Sequence, residues 1–163
     1  MIKKIINLIS TVLLLFVVAI AVMLVGVRVV GYTPYTILSG SMNPKYQRGD
    51  LVYVKETDPL QIQKGDVLTF KISDSKIVTH RVFDVDRENR CFYTKGDAND
   101  IVDGASVPYE NVIGTVSFSM PKLGYISTFL TTQKGKFIAI MIFCIIILLF
   151  VLPEFFFRKS KTL

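Results

Sequence analysis

The 23 residues from Ile5 to Val27 carry no charge, and Lys4 and Arg28 close the run at either end. As a helix rising ~1.5 Å per residue it reaches ~34 Å, enough to cross a hydrocarbon core of ~30 Å. No other feature restricts the fold as tightly, because lipid leaves a spanning backbone to satisfy its own hydrogen bonds. A cleavable leader is the competing reading. The run is too long for a leader's apolar core of roughly 7–15 residues. In addition, Val27-Arg28-Val29-Val30-Gly31 offers no clean small-x-small cleavage site. A retained anchor is the expectation. Phe137 to Leu152 forms a second uncharged run of 16 residues, bounded by Lys136 and Pro153-Glu154. Phe155, Phe156 and Phe157 extend it into the membrane interface, and a second span is expected there.

The charge distribution follows the same division. The chain has 163 residues and a net charge of +6, which by itself could indicate a nucleic-acid partner. Five basic residues (Lys3, Lys4, Arg158, Lys159 and Lys161) flank the two runs against a single acid, Glu154, whereas Arg28 to Lys136 holds 14 basic and 12 acidic residues. Excess positive charge beside spans marks the cytoplasmic side, so no nucleic-acid partner is implied. Both termini are expected in the cytoplasm and the middle region outside it. The expected organisation is an anchor over residues 1–28, an extracytoplasmic domain over 29–136, and a second transmembrane helix with a basic tail over 137–163.

Gly31-Tyr32-Thr33-Pro34-Tyr35 reads as the exit from the membrane. Beyond it, short β-branched and aromatic runs alternate with Gly/Asp/Ser turns. Leu51–Val54 follows the turn Arg48-Gly49-Asp50, and Val67–Ile72 follows Lys64-Gly65-Asp66. Ser73-Asp74-Ser75 separates the latter from Ile77–Val85. Arg87-Glu88-Asn89-Arg90 makes a hairpin tip before Cys91–Thr94, and Val112–Phe118 is a last strand. The fold class expected is mostly β: a small antiparallel sheet domain between two transmembrane helices. Cys91 and Cys144 fall in different environments, so neither a mutual disulfide nor a metal site is expected.

Three stretches carry possible chemistry. Ser41 lies in Ser39-Gly40-Ser41-Met42-Asn43-Pro44, where Gly40 permits a sharp turn or a close approach and Pro44 restricts the chain. The same hexapeptide is also what an ordinary turn looks like. A serine hydroxyl becomes a useful nucleophile only beside a base. His80, the one histidine of the chain, sits on a predicted strand sharing a face with Val78 and Val82. Such a histidine is either a core residue or a base, and imidazole is the side chain suited to base work near neutral pH. Gly96-Asp97-Ala98-Asn99-Asp100-Ile101-Val102-Asp103 offers three carboxylates that could orient it, and spacing does not choose among Asp97, Asp100 and Asp103.

Taken in order, these motifs resemble type I signal peptidases of the endoplasmic-reticulum type, a branch found in eukaryotes, archaea and some Gram-positive bacteria. The resemblance runs from the first apolar run to about Gly124. It rests on the hexapeptide around Ser41, Arg48-Gly49-Asp50, Lys64-Gly65-Asp66-Val67, Thr79-His80-Arg81-Val82, Lys95-Gly96-Asp97-Ala98-Asn99 through Asp103, and Val112-Ile113-Gly114-Thr115-Val116. It implies a β-rich, membrane-bound serine endopeptidase that removes signal peptides from preproteins after small residues. Ser41 matches the nucleophile and His80 the general base, where the commoner bacterial branch has lysine. Asp103 matches the triad aspartate and Asp97 a second important aspartate. Ser39 matches a serine that helps bind the oxyanion. Ile37, Leu38 and Met42 flank the serine and either line the substrate groove, touch lipid, or belong to the core. No cofactor or metal is implied. The expected partners are secretory preproteins, the lipid bilayer (plasma or endoplasmic-reticulum membrane), and secretion machinery or partner subunits. A self-cleaving serine–lysine repressor would want a lysine base and a DNA-binding domain. An inactive relative would lack one of the three residue types.

Overall fold

A computed structural model describes residues 2–73 and 76–158. Asp74 and Ser75 of the expected turn, Lys159 and Lys161 of the basic tail, and the side chains of Phe155, Phe156 and Phe157 lie outside the described residues. The chain forms two units, one of residues 1–26 with 129–163 and one of residues 27–128.

The first unit contains helix α1 (Ile2–Leu24) and helix α3 (Gln133–Arg158). Lys4–Leu24 and Gln133–Val151 are long and apolar enough to cross a membrane, with mean hydropathies of 2.9 and 2.5. Only 6% and 11% of these windows are buried, so no protein core accounts for this apolarity. Ser10 and Ile146 are buried exceptions. Ser10 returns its hydroxyl to the Ile6 carbonyl at 2.8 Å, which removes an unpaired donor from an apolar setting.

The second unit is a seven-stranded antiparallel sheet. Its strands are β1 (Tyr32–Thr36), β2 (Leu51–Lys55), β3 (Val67–Ser73), β4 (Lys76–Asp86), β5 (Cys91–Lys95), β6 (Val107–Pro108) and β7 (Val112–Met120). They lie in the order β1-β2-β7-β3-β4-β5-β6. The five sequence-expected strands are all present. The stretch expected as a membrane exit contributes β1, an edge strand, where the missing N–H of Pro34 costs little. Helix α2 (Leu123–Thr131), a short 3₁₀ turn at Gly26–Val30 and two others at Pro59–Gln61 and Tyr109–Asn111 were not anticipated either.

β2 and the first half of β3 are buried on both faces, which explains why they read as continuous apolar runs. Leu51, Val52, Tyr53 and Val54 of β2 are all essentially inaccessible. One core gathers Ile62, Leu68, Phe70, Val82, Phe92, Val107 and Tyr109. The other gathers Ile37, Met42, Tyr46, Val52, Val54 and Val67. Each fully buried aliphatic or aromatic side chain contributes about 1.5–3 kcal/mol.

The two Gly-Asp turns are built alike. Asp50 accepts from the Gln47 N–H at 2.8 Å and Asp66 from the Gln63 N–H at 2.9 Å. The glycine before each has positive φ, +92° at Gly49 and +99° at Gly65. Asp50 is buried and also accepts from the Lys122 N–H at 3.1 Å. It therefore ties the loop after β1 to the start of α2.

Gly114 is the tightest point in the sheet. Its φ is +155°, and an added Cβ would stand 2.1 Å from the Lys55 carbonyl oxygen. That neighbour is backbone and cannot swing away. Gly114→Ala is expected to destabilise the β unit by about 3 kcal/mol or more, seen as a lowered thermal midpoint; an unchanged midpoint would contradict the close β2–β7 approach.

Candidate active site

Ser41 stands in a turn fixed from several sides. Upstream, the Ile37 N–H donates to the Asp50 carbonyl at 2.9 Å and the Gly49 N–H to the Ile37 carbonyl at 2.8 Å. Downstream, Met42 is buried and its carbonyl accepts from the Tyr46 N–H at 2.9 Å. Of the alternatives left open for these residues, Ile37 and Met42 take the core; of the three, only Leu38 is open, at 70% exposure. The hexapeptide is apolar where it plugs the sheet and polar where the serines emerge.

The Ser41 carbonyl accepts from the Ala98 N–H at 2.8 Å. Gly96 lies against it so closely that a Cβ would come within 2.7 Å of the Ser41 oxygen. The glycine demanded by close approach is therefore Gly96. Gly40, read as permitting a sharp turn or a close approach to a substrate, lies in a turn in which its carbonyl accepts from the Asn43 N–H at 3.0 Å.

His80 comes from β4, where it stands opposite Leu68 of β3. Its Nε2 is 3.1 Å from Ser41 Oγ and its Nδ1 is 2.6 Å from Asp103 Oδ2. The imidazole is largely buried and the carboxylate about a quarter exposed. Ser39 Oγ lies 3.0 Å from Ser41 Oγ on the exposed side. Ser39, Ser41, His80 and Asp103 are thus brought together. Asp100 is exposed and has no such contact.

Asp97 is held elsewhere. Its two oxygens accept from Arg81 Nε at 2.8 Å and Arg81 Nη2 at 2.7 Å, a two-point ion pair. Arg81 Nη1 continues to the Gly65 carbonyl at 2.7 Å. The hydrogen bonds to Asp97 raise the pKa of Arg81 above its usual value. Tyr46 lies beside this pair, and burial raises its phenol pKa. The structure thus separates the two aspartates: Asp103 faces the histidine, and Asp97 pins the loop that supports Ser41.

Two contributors were missed from sequence. Arg81 stood beside His80, but a strand places neighbours on opposite faces, so its pairing with Asp97 could not be inferred from adjacency. Thr94 donates to Asp103 Oδ2 at 2.7 Å and is fully buried; the one available signal was a hydroxyl at an apolar strand position. Among the described residues, no three His, Cys, Asp or Glu side chains come together as a metal site. Cys91 and Cys144 are both free thiols.

Such an arrangement suits nucleophilic chemistry. An Nδ1–H donated to carboxylate leaves Nε2 unprotonated and able to take the proton of Ser41 Oγ. Residues 8–95, more than half of the chain, match the family described as signal peptidase, peptidase S26. The chain belongs to this family. Over 87 residues it is 47% identical to signal peptidase I W of Bacillus subtilis, which covers 52% of this chain and 46% of that protein. The signal peptidase complex catalytic subunit SEC11 of Komagataella phaffii is 33% identical over 114 residues, 60% of this chain and 66% of its own. SEC11 of Zygosaccharomyces rouxii is 30% identical over 120 residues, 64% and 70% respectively. The chain therefore spans less than half of the Bacillus relative and just under two thirds of the Komagataella one. The family match ends at Lys95, so Asp97 and Asp103 lie beyond the matched residues.

If the Arg81–Asp97 pair holds the loop, its two halves act as one. Asp97→Asn and Arg81→Met are each expected to lower the thermal midpoint, and the double variant should lose little more than either single one. A coupling of about 1 kcal/mol or more is expected from a double-mutant cycle; additive losses would contradict the pairing.

Proposed function

We propose that this protein is a membrane-anchored serine endopeptidase that removes N-terminal signal peptides from exported preproteins, cleaving after small residues. The observation that carries the proposal is the contact of Ser41 Oγ with the Nε2 of the chain's one histidine, whose Nδ1 faces Asp103. Membership of the signal peptidase family supports the substrate class.

In this reading, His80 takes the Ser41 proton as the hydroxyl attacks the scissile carbonyl, and Asp103 stabilises the imidazolium that forms. The Ser39 hydroxyl and the Ser41 N–H serve the oxyanion. His80 then returns its proton to the leaving amine, and water resolves the acyl-enzyme by the same route. No cofactor takes part. Asp97 acts through the loop it anchors and touches no reacting atom.

The two apolar helices support an anchored enzyme with both ends cytoplasmic and the β unit outside, in the plasma membrane or that of the endoplasmic reticulum. Only 13 residues separate Val27 from Ser41, so the nucleophile is tethered within about 50 Å of the end of the run. Signal peptides also present an apolar core followed by small residues, so enzyme and substrate would meet in the plane of one bilayer. The yeast relatives are named as subunits of a complex, which supports secretion machinery or partner subunits as neighbours.

The test is cleavage of a preprotein bearing an Ala-x-Ala site by the full chain in membranes. Ser41→Ala and His80→Ala are each expected to lower the rate by about 10⁴-fold or more, and Asp103→Asn by about 10³- to 10⁴-fold. Full activity in Ser41→Ala would exclude the mechanism. Loss in Asp97→Asn equal to that in Asp103→Asn, with the fold intact, would overturn the division of roles.

A further inference from the structure

Asp103 Oδ2 receives two donors, His80 Nδ1 at 2.6 Å and the Thr94 hydroxyl at 2.7 Å. A carboxylate has no proton to give, so the threonine hydroxyl donates. Thr94 is fully inaccessible and stands opposite Val82 of β4, two residues beyond His80. Its own carbonyl accepts from the Asp103 N–H at 2.9 Å. One residue therefore holds Asp103 twice, by its main chain and by its carboxylate. Oδ1 has no protein partner among the described residues, so among these nothing else selects which oxygen faces the imidazole.

Packing does not account for this choice of residue. Valine has nearly the same shape and favours strands, whereas a buried hydroxyl is costly unless it is bonded. Here Asp103 is the partner that satisfies it.

We infer that Thr94 is a positioning residue for the reaction proposed above: its hydroxyl fixes Asp103 Oδ2 toward Nδ1 and so holds His80 in the tautomer whose Nε2 accepts the Ser41 proton. The inference rests on the serine–histidine reading but has a readout independent of turnover. Because the chain holds one histidine, the full-length protein labelled with ¹⁵N-histidine in detergent micelles reports on a single imidazole.

Wild type should show one Nδ1–H tautomer. Thr94→Val should give a mixture of tautomers, with kcat lowered about 10- to 100-fold and KM within about twofold. Thr94→Ser keeps the hydroxyl and should restore both the spectrum and most of kcat. Thr94→Ala serves as a second hydroxyl-free variant if valine prevents folding. An unchanged imidazole spectrum and kcat in the hydroxyl-free variants would overturn the inference, as would a serine variant impaired as severely as valine. If the wild type cleaves no preprotein and the imidazole still responds to Thr94→Val and recovers in Thr94→Ser, the positioning role stands and the peptidase reading fails.

Discussion

The pairing of β4 with β5 carries the site. Arg81 stands opposite Lys95 and Val82 opposite Thr94, and the register then shifts before Asp84. That shift places an additional residue, Phe83, on β4, where its ring receives Lys64 Nζ at 5.0 Å. A bulge of this kind re-aims the side chains around it. With the register set, His80 within β4 and the loop that follows β5 both reach Ser41. A slip of one residue would turn His80 away and carry Thr94 with it.

The loop after β5 then divides its labour by residue. Gly96 allows backbone to approach the Ser41 carbonyl, and Ala98 bonds it. Asp97 turns toward Arg81, which reaches on to the Gly65 carbonyl. Asp103 returns to the Thr94 main chain and faces His80. Three distinct contacts within eight residues thus hold a nucleophile, a supporting loop and a histidine. The polar groups involved are mostly sheltered, where an unpaired partner would be costly, so the arrangement favours one geometry over looser alternatives.

Much of this was legible in the chain. The two apolar runs and the five main strands follow from charge and alternation, whereas the choice of Asp103 as the partner of Ser41 and His80 was implied only by the family resemblance. Other features depended on contacts that are distant in sequence. β1 was hidden by Pro34, whose missing N–H is harmless only because the strand lies at an edge. Ile37 and Met42 lie near a half-buried serine, yet the turn drives both into the core; sequence adjacency carries no information on burial in a turn. Asp97 and Asp103 are chemically equivalent in one dimension, and only the placement of Arg81 and Thr94 on neighbouring strands separates them. The close approach to the Ser41 carbonyl was not legible either, since it comes from Gly96, in a loop more than fifty residues downstream.

The central claim is that Ser41 and His80 act as one chemical unit. The most direct measurement is the preprotein cleavage rate of the Ser41→Ala/His80→Ala double variant, compared with each single variant in the same membranes. Groups that share one proton-transfer step lose their contribution together. The account predicts that the double variant cleaves no more slowly than either single one. Losses that multiply would show that the two residues contribute independently, and would contradict the shared mechanism.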